Sequence, residues 1–228
     1  MMIDENIAYM SSSTVYRILK KNGIMRSKKR KESKKGNGFV QPIVAHEHWH
    51  TDISYIKICK RFYFFFGVLD GYSRCLLHWE IRESMTEHDV EIVMQRAIEK
   101  YPDAKPRLIT DNGSQYTSHE FKVFIGMHGL THVRTSPYYP QSNGKMERFH
   151  FTLKSEAVRP GVPLTVENAR SIVLQYVDFH NNVRLHSAIG FVAPMDKLEG
   201  RDHAILIERK EKIEGAKNKR IEEFAKSA

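Results

Sequence analysis

The sequence has very little cysteine, with two in 228 residues, Cys59 and Cys75. Two thiols build neither a disulfide framework nor a four-thiolate zinc site, and a reducing compartment is the simplest home for such a chain. Long apolar runs are also missing. The longest, Phe62 to Leu69, has the length of a strand, against the ~18 residues a membrane span needs. The chain does not open on a basic region followed by an apolar stretch, so no secretory signal is expected. Apolar side chains are not scarce: 41% of residues are hydrophobic and 11% aromatic, enough for one sizeable core and too many for disorder throughout. The length predicts between one and two domains at ~150 residues each.

Acidic excess is absent as well. The formal net charge is +9, and it sits at the ends: residues 1–38 carry ten Lys/Arg against three Asp/Glu, residues 39–200 eighteen of each, and residues 201–228 eight against six. A neutral body with basic arms makes nucleic acid the expected partner, with a solubilising tail as the ordinary alternative.

Residues 1–24 read as a short helical segment. Ser11 to Ser13 offer N-caps, Val15, Ile18 and Leu19 follow helical spacing, and Gly23 closes the helix. Arg17 and Lys20 then face outward, as in the second helix of a helix-turn-helix lying in a DNA groove; an ordinary amphipathic helix explains the same pattern. Residues 25–40 are a basic, flexible linker suited to tracking phosphates. In the body, strands are expected at Trp49–Ile58, Phe62–Leu69, Cys75–Ile81, Arg107–Thr110 and Leu130–Arg134. Helices are expected after Thr86, after Thr117 or Ser118, from about Lys145, and from about Val166 to Asn181. The Pro- and Gly-rich stretch Ser136 to Gly144 is a loop. Strands alternating with helices in this order describe a mixed sheet with helices packed on it. Residues 201–228 are expected to form a basic helical tail.

Three acids stand out by context. Asp52 lies inside a strand with apolar and aromatic neighbours, where a carboxylate is costly unless paired or bound to a cation. Asp111 ends a strand, the place where sites form in open α/β sheets. Glu147 falls in the first turn of a helix, which favours negative charge. Singly, each has an ordinary explanation: a buried acceptor, a turn, a helix-start acid. His46, His48 and His50 alternate, but no Cys pair accompanies them, so a metal site there is not expected; His50 is better placed to position Asp52.

Thirty-five residues separate Asp111 from Glu147. This spacing resembles the DDE transposases and retroviral integrases. So do Trp49 to Ile56 (WHTDISYI), Asp70 to Arg74 (DGYSR), Thr110 to Tyr116 (TDNGSQY), Ser142 to Arg148 (SNGKMER) and His180 to Gly190 (HNNVRLHSAIG). These segments are similar to the catalytic core of bacterial insertion-sequence transposases, in the subgroup made from two overlapping reading frames, with this chain as the downstream product. The resemblance covers roughly residues 45–200 and makes residues 41–200 an integrase catalytic core. It implies an α/β, ribonuclease-H-like, mixed five-stranded sheet flanked by helices, with a short helical N-terminal DNA-binding remnant. It implies that Asp52, Asp111 and Glu147 are catalytic and hold two Mg²⁺ ions, with Mn²⁺ able to substitute. The expected reaction nicks DNA at the 3′ end of an element and joins it to target DNA.

The same resemblance implies a base at Lys154 that contacts element-end DNA. Seven helical steps return to within ~20° of the start, so Lys154 shares a face with Glu147. Lys145 and Arg148 flank the same helix start and can reach phosphate. The implied partners are element-end and target DNA, further copies of the chain and the upstream reading-frame product; no membrane is involved. The implied location is the bacterial cytoplasm, at the nucleoid. Two other readings remain open: a ribonuclease-H-like nuclease that only hydrolyses, and a non-catalytic DNA-binding product of a degenerate element.

Overall fold

The computed structural model describes residues 1–25, 40–134 and 143–226. The basic linker and the Pro- and Gly-rich loop expected from the sequence fall largely outside them, at residues 26–39 and 135–142. The chain divides into two units, one of residues 36–199 and one of residues 1–35 with 200–228.

The larger unit begins with β1 (His48–Ile58), β2 (Arg61–Asp70) and β3 (Leu76–Arg82). Successive strands pair antiparallel, Asp52 opposite Gly67 and Gly67 opposite Trp79. The tight β2–β3 turn is organised by Asp70. Its buried carboxylate accepts hydrogen bonds from the Ser73 backbone (2.7 Å), the Ser73 hydroxyl (2.7 Å) and the His46 backbone (2.8 Å). The helix from Glu87 to Lys100 follows, opened by a reciprocal capping box between Thr86 and Asp89. β4 (Arg107–Thr110) and β5 (Thr131–Arg134) add in parallel, giving the sheet order β3-β2-β1-β4-β5. This is the mixed five-stranded sheet expected from the strand order.

With α1 reserved for the helix Ser12–Lys21 of the other unit, the Glu87–Lys100 helix is α2. Then come α3 (Ser114–Thr117), α4 (His119–Met127), α5 (Gly144–Leu153), α6 (Arg159–Gly161), α7 (Val166–Asn182) and α8 (Pro194–Leu198). The four-residue α3 is too short to give a periodic signal and was not expected. Between α5 and α6, Lys154–Val158 forms a π-helical turn, so the helix expected to run on past Ala157 changes its winding at Lys154.

Side chains alternate across the sheet, and two apolar clusters result. Trp49, Phe66 and Val68 face α2 and α4, where Val93, Met94 and Phe121 cover them. Ile56, Phe65 and Leu69 face α5 and α7, meeting Phe149, Leu153 and Val173. Each such side chain, fully buried, contributes ~1.5–3 kcal/mol. A Cβ at Gly67 would stand 2.9 Å from the terminal methyl of Met146 and 3.1 Å from the Phe65 ring, so a larger residue there would make the Met146 side chain shift.

The smaller unit contains α1 and α9 (Asp202–Lys226). Asp4 and Arg209 join its two parts through two hydrogen bonds of 2.7 Å. The Arg209 guanidinium holds the Asp4 carboxyl down to about 2. No residue of α1 is buried. Of its expected inward face, Val15 and Leu19 are only partly covered and Ile18 is 46% exposed. The reason is a shortage of partners: among the described residues of this unit, Ile3 is the one buried apolar side chain.

Candidate active site

Strand register sets the first part of the site. β1 and β4 run parallel, with Trp49 beside Leu108 and His50 beside Ile109. Trp49 and Leu108 both enter the cluster under α2 and α4. His50 and Ile109 therefore project to the opposite face, as does Asp52 two residues further along β1; Asp111 directly follows Thr110, the last residue of β4. Both carboxylates act on the fully buried Tyr116 hydroxyl, which burial, first, and then these two charges push well above its ordinary range. Each is steadied through one oxygen: Asp52 by the Ile53 backbone N–H (2.9 Å), Asp111 by that of Gly113 (3.0 Å).

The α5 helix crosses that face. Asn143, at its start, donates to the Thr51 carbonyl at 3.3 Å. Two turns in, His150 Nδ1 lies 3.5 Å from Asp52 Oδ2, its ring edge-on to Phe65. Glu147 precedes His150 by three residues and is exposed. Lys154 follows by four and is half-buried. Burial lowers its ammonium, as does Arg159, while Asp52 acts in the other direction. Lys154 thus lies close enough to Asp52 to feel its charge. Among the described residues, no three Asp, Glu, His or Cys side chains are grouped so as to hold a metal ion. The structure thus brings Asp52 and Asp111 within electrostatic reach of the same Tyr116 hydroxyl and puts Glu147 on the helix that crosses β1, without grouping the three into one ligand set among the described residues.

Lys145 and Arg148 point elsewhere. They line a cavity on the far flank of α5 with Arg74, Arg184 and His186. Lys145 donates to the Gly71 carbonyl at 2.8 Å; burial and then Arg74 draw its ammonium down to about 7. Arg17 and Lys20 are exposed on α1 in the other unit. Of the three alternating histidines, only His48 and His50 belong to β1; His46 precedes it and accepts from the Trp49 indole at 3.2 Å. His50 is fully buried and held down to about 3 by that burial, so it stands neutral beside the strand position of Asp52.

Sequence reasoning missed the parts played by His150, Asn143 and Tyr116. His150 had a visible signal, a titratable side chain in the otherwise apolar row Met146, Phe149 and Leu153. Asn143 and Tyr116 had none beyond lying inside the quoted segments.

Two profiles of the integrase core domain match this chain, one over residues 44–140 and one over residues 128–194. Together they span more than half of it. The chain belongs to the integrase-core family. Among curated relatives it is 28% identical over 208 residues to the putative transposase InsD of insertion element IS2E from Escherichia coli K12, covering 84% of this chain and 93% of that one. It is 26% identical over 162 residues to the transposase of insertion sequence IS904 from Lactococcus lactis, covering 70% of this chain. The chain spans only 64% of the length of that Lactococcus transposase and 58% of a Mycobacterium tuberculosis relative.

Solved structures agree on the fold. The simian T-cell lymphotropic virus intasome bound to a PP2A regulatory subunit matches with a TM-score of 0.63 at 18% identity, over 83% of this chain and 67% of that one. The HTLV-2 integrase catalytic core in complex with magnesium matches with a TM-score of 0.55 at 17% identity, over 68% of this chain and 98% of that one. The ribonuclease-H-like class expected from the sequence is thus the fold of this integrase core. No helix among the described residues is long and apolar enough to cross a membrane.

Proposed function

We propose that this integrase core is the catalytic part of an insertion-sequence transposase, a DDE polynucleotidyl transferase that nicks element DNA at its 3′ ends and joins them to target DNA. The observation that supports the reading is the β1–β4 register, which puts Asp52 on β1 beside the end of β4, where Asp111 follows Thr110, under the helix that bears Glu147. In this reading Asp52, Asp111 and Glu147 are the catalytic and metal-binding residues. The donor set suits Mg²⁺ or Mn²⁺, which take hard oxygen ligands, because Asp52 and Asp111 are each tied to a backbone N–H through one oxygen. Bound there, divalent metal would supply charge stabilisation for phosphoryl transfer.

The remaining roles belong to the chain itself. His150 orients Asp52. Lys154 contacts DNA beside the acids, and the exposed Arg17 and Lys20 of the N-terminal helix add phosphate contacts. The DNA substrates are the element ends and the target, and the active assembly contains several copies of the chain on DNA. The intasome and the magnesium-bound catalytic core among its fold neighbours support this reading by analogy.

The test incubates the purified chain with labelled element-end duplex and Mg²⁺ or Mn²⁺, then resolves the products. Nicked and joined strands are expected. Hydrolysis without joining would establish a nuclease, and binding without either product a non-catalytic DNA-binding protein.

A further inference from the structure

The flank of α5 turned away from Asp52 borders a cavity of about 650 Å³, within the ~300–1,000 Å³ typical of small-molecule sites. Its charge is one-sided. Arg74, Lys145, Arg148 and Arg184 line it, and no Asp or Glu does. Arg184 is already answered from outside the lining by Glu156, which it grips through both guanidinium nitrogens. Among the described residues, Arg74 and Arg148 form no ion pair of that kind.

Arg74 is the unusual residue. It sits in the β2–β3 turn at φ 68°, its Nε is buried without a hydrogen-bond partner, and its carbonyl is held by His180 at 3.0 Å. The carboxylate that acts on it electrostatically, Asp70, spends its oxygens on Ser73 and His46. Arg74 as a whole is half-buried and lines the cavity, so an anion there would answer the charge of its guanidinium, a group costly to desolvate unpaired. The first turn of α5 adds to this. Gly144 lines the cavity, α5 has no side-chain N-cap, and helix N-termini favour anions.

We propose that this cavity is a phosphate-binding site, separate from the carboxylates, in which Arg74 and Arg148 grip the phosphate oxygens. Guanidinium groups match phosphate geometry, and a cavity of this size leaves room for an adjoining sugar. The phosphate can come from a nucleic acid or be free in solution. Only the nucleic-acid source rests on the transposase reading; the site itself stands on the cavity and its cations.

The test titrates inorganic phosphate into the full chain at constant ionic strength, without DNA or divalent metal, and reads binding calorimetrically. Saturable binding is expected, weakened about tenfold, the equivalent of one charge-assisted contact, in Arg148→Gln and in Arg74→Gln. Lys122→Gln, on the exposed surface of α4, should bind like the wild type. Arg148 is exposed, so its variant keeps the test decisive where Arg74→Gln fails to fold. A dinucleoside monophosphate that displaces phosphate marks nucleic acid as the source; Arg148-dependent phosphate binding that it cannot displace marks free phosphate. No saturable binding, or equal binding by the wild type and a folded Arg148→Gln, overturns the site. Nicking plays no part in this readout, so the proposal and the transposase reading fail separately.

Discussion

Viewed down its axis, α5 carries His150 toward Asp52 on one flank, with Glu147 and Lys154 on that side of the helical wheel, and Lys145, Arg148 and Thr152 toward the basic cavity on the other. The first flank mixes signs: two aspartates on the sheet, a glutamate on the helix, and a lysine that feels Asp52. The second has cations and no carboxylate lining it. One helix therefore separates a flank with acids from a flank lined by cations. A polyanion held on the cationic flank would lie within a helix diameter of the acidic one, ~10 Å. Local patterning produces this division, because a 3.6-residue period turns Arg148 about 100° from Glu147, although the two still share a surface cavity with Gly144 and Phe151.

The largest effect should come from breaking the acidic flank. Asp52→Asn, Asp111→Asn and Glu147→Gln each keep side-chain shape and remove a ligand charge. Each should lower nicking and joining by about a thousandfold or more, several kcal/mol of lost charge stabilisation, with unchanged circular dichroism. Strand transfer at the wild-type rate by any of the three would remove that residue from the site.

Next comes the seat that both flanks share. Phe149 is 2% exposed, packs on Phe65 and meets His180 edge-on at 4.8 Å. Phe149→Ala should cost about 3–5 kcal/mol in unfolding free energy, read from the urea midpoint. A loss under about 1 kcal/mol would mean that α5 is not held from this side and that the two flanks need not move together.

Much of this arrangement is legible in the sequence, for particular reasons. Period-2 runs marked the strands and 3.6-period stripes the long helices, since Val90, Val93, Met94, Ala97 and Ile98 are the residues α2 buries. Linked segments singled out Asp52, Asp111 and Glu147. The rest depends on contacts distant in sequence. The Asp4–Arg209 pair joins residues 205 apart, and nothing local at either position announces it. The π-helical turn at Lys154–Val158 lies just before Pro160, which has no N–H to give the Glu156 carbonyl, but a proline there reads as a helix end and not as a change of winding. The cavity takes Arg74 from a turn, Arg148 from α5 and Arg184 from beyond α7, so its charge shows only after folding. Lys145 and Arg148 read from the sequence as residues flanking a helix start that can reach phosphate; that both line one cavity shows only after folding.

A smaller effect sharpens the comparison at Lys154. Lys154→Ala leaves the buried row of α5, Met146, Phe149 and Leu153, untouched. A lysine that only neutralises phosphate would weaken binding to every duplex about equally. A lysine that reads a base would cost element-end DNA more than random DNA, by ~1–3 kcal/mol of discrimination. The second pattern is expected, because Lys154 lies on the flank of the acids. Binding and nicking unchanged from wild type would leave the lysine merely solvated.

The smallest effect concerns acid, and it separates the flanks by stability alone. His180, 3% exposed, packs between Phe149 and His186 on the cavity side. Burial, the largest influence, holds its imidazole down to about 4, against the ordinary value near 6.5. As pH falls through 6.5 the unfolded chain takes up a proton that the folded chain refuses until about pH 4. Stability is therefore fully present above pH 6.5 and declines between 6.5 and 4, by at most about 1.4 kcal/mol per pH unit for this one group. His180→Gln should flatten the dependence of the urea midpoint on pH within that window by about one proton. His150, which faces Asp52 instead, supplies the comparison: His150→Gln should leave the His180 contribution to the slope intact. An identical slope in wild type and His180→Gln would show that His180 is not held neutral, and that the cavity flank is open to solvent.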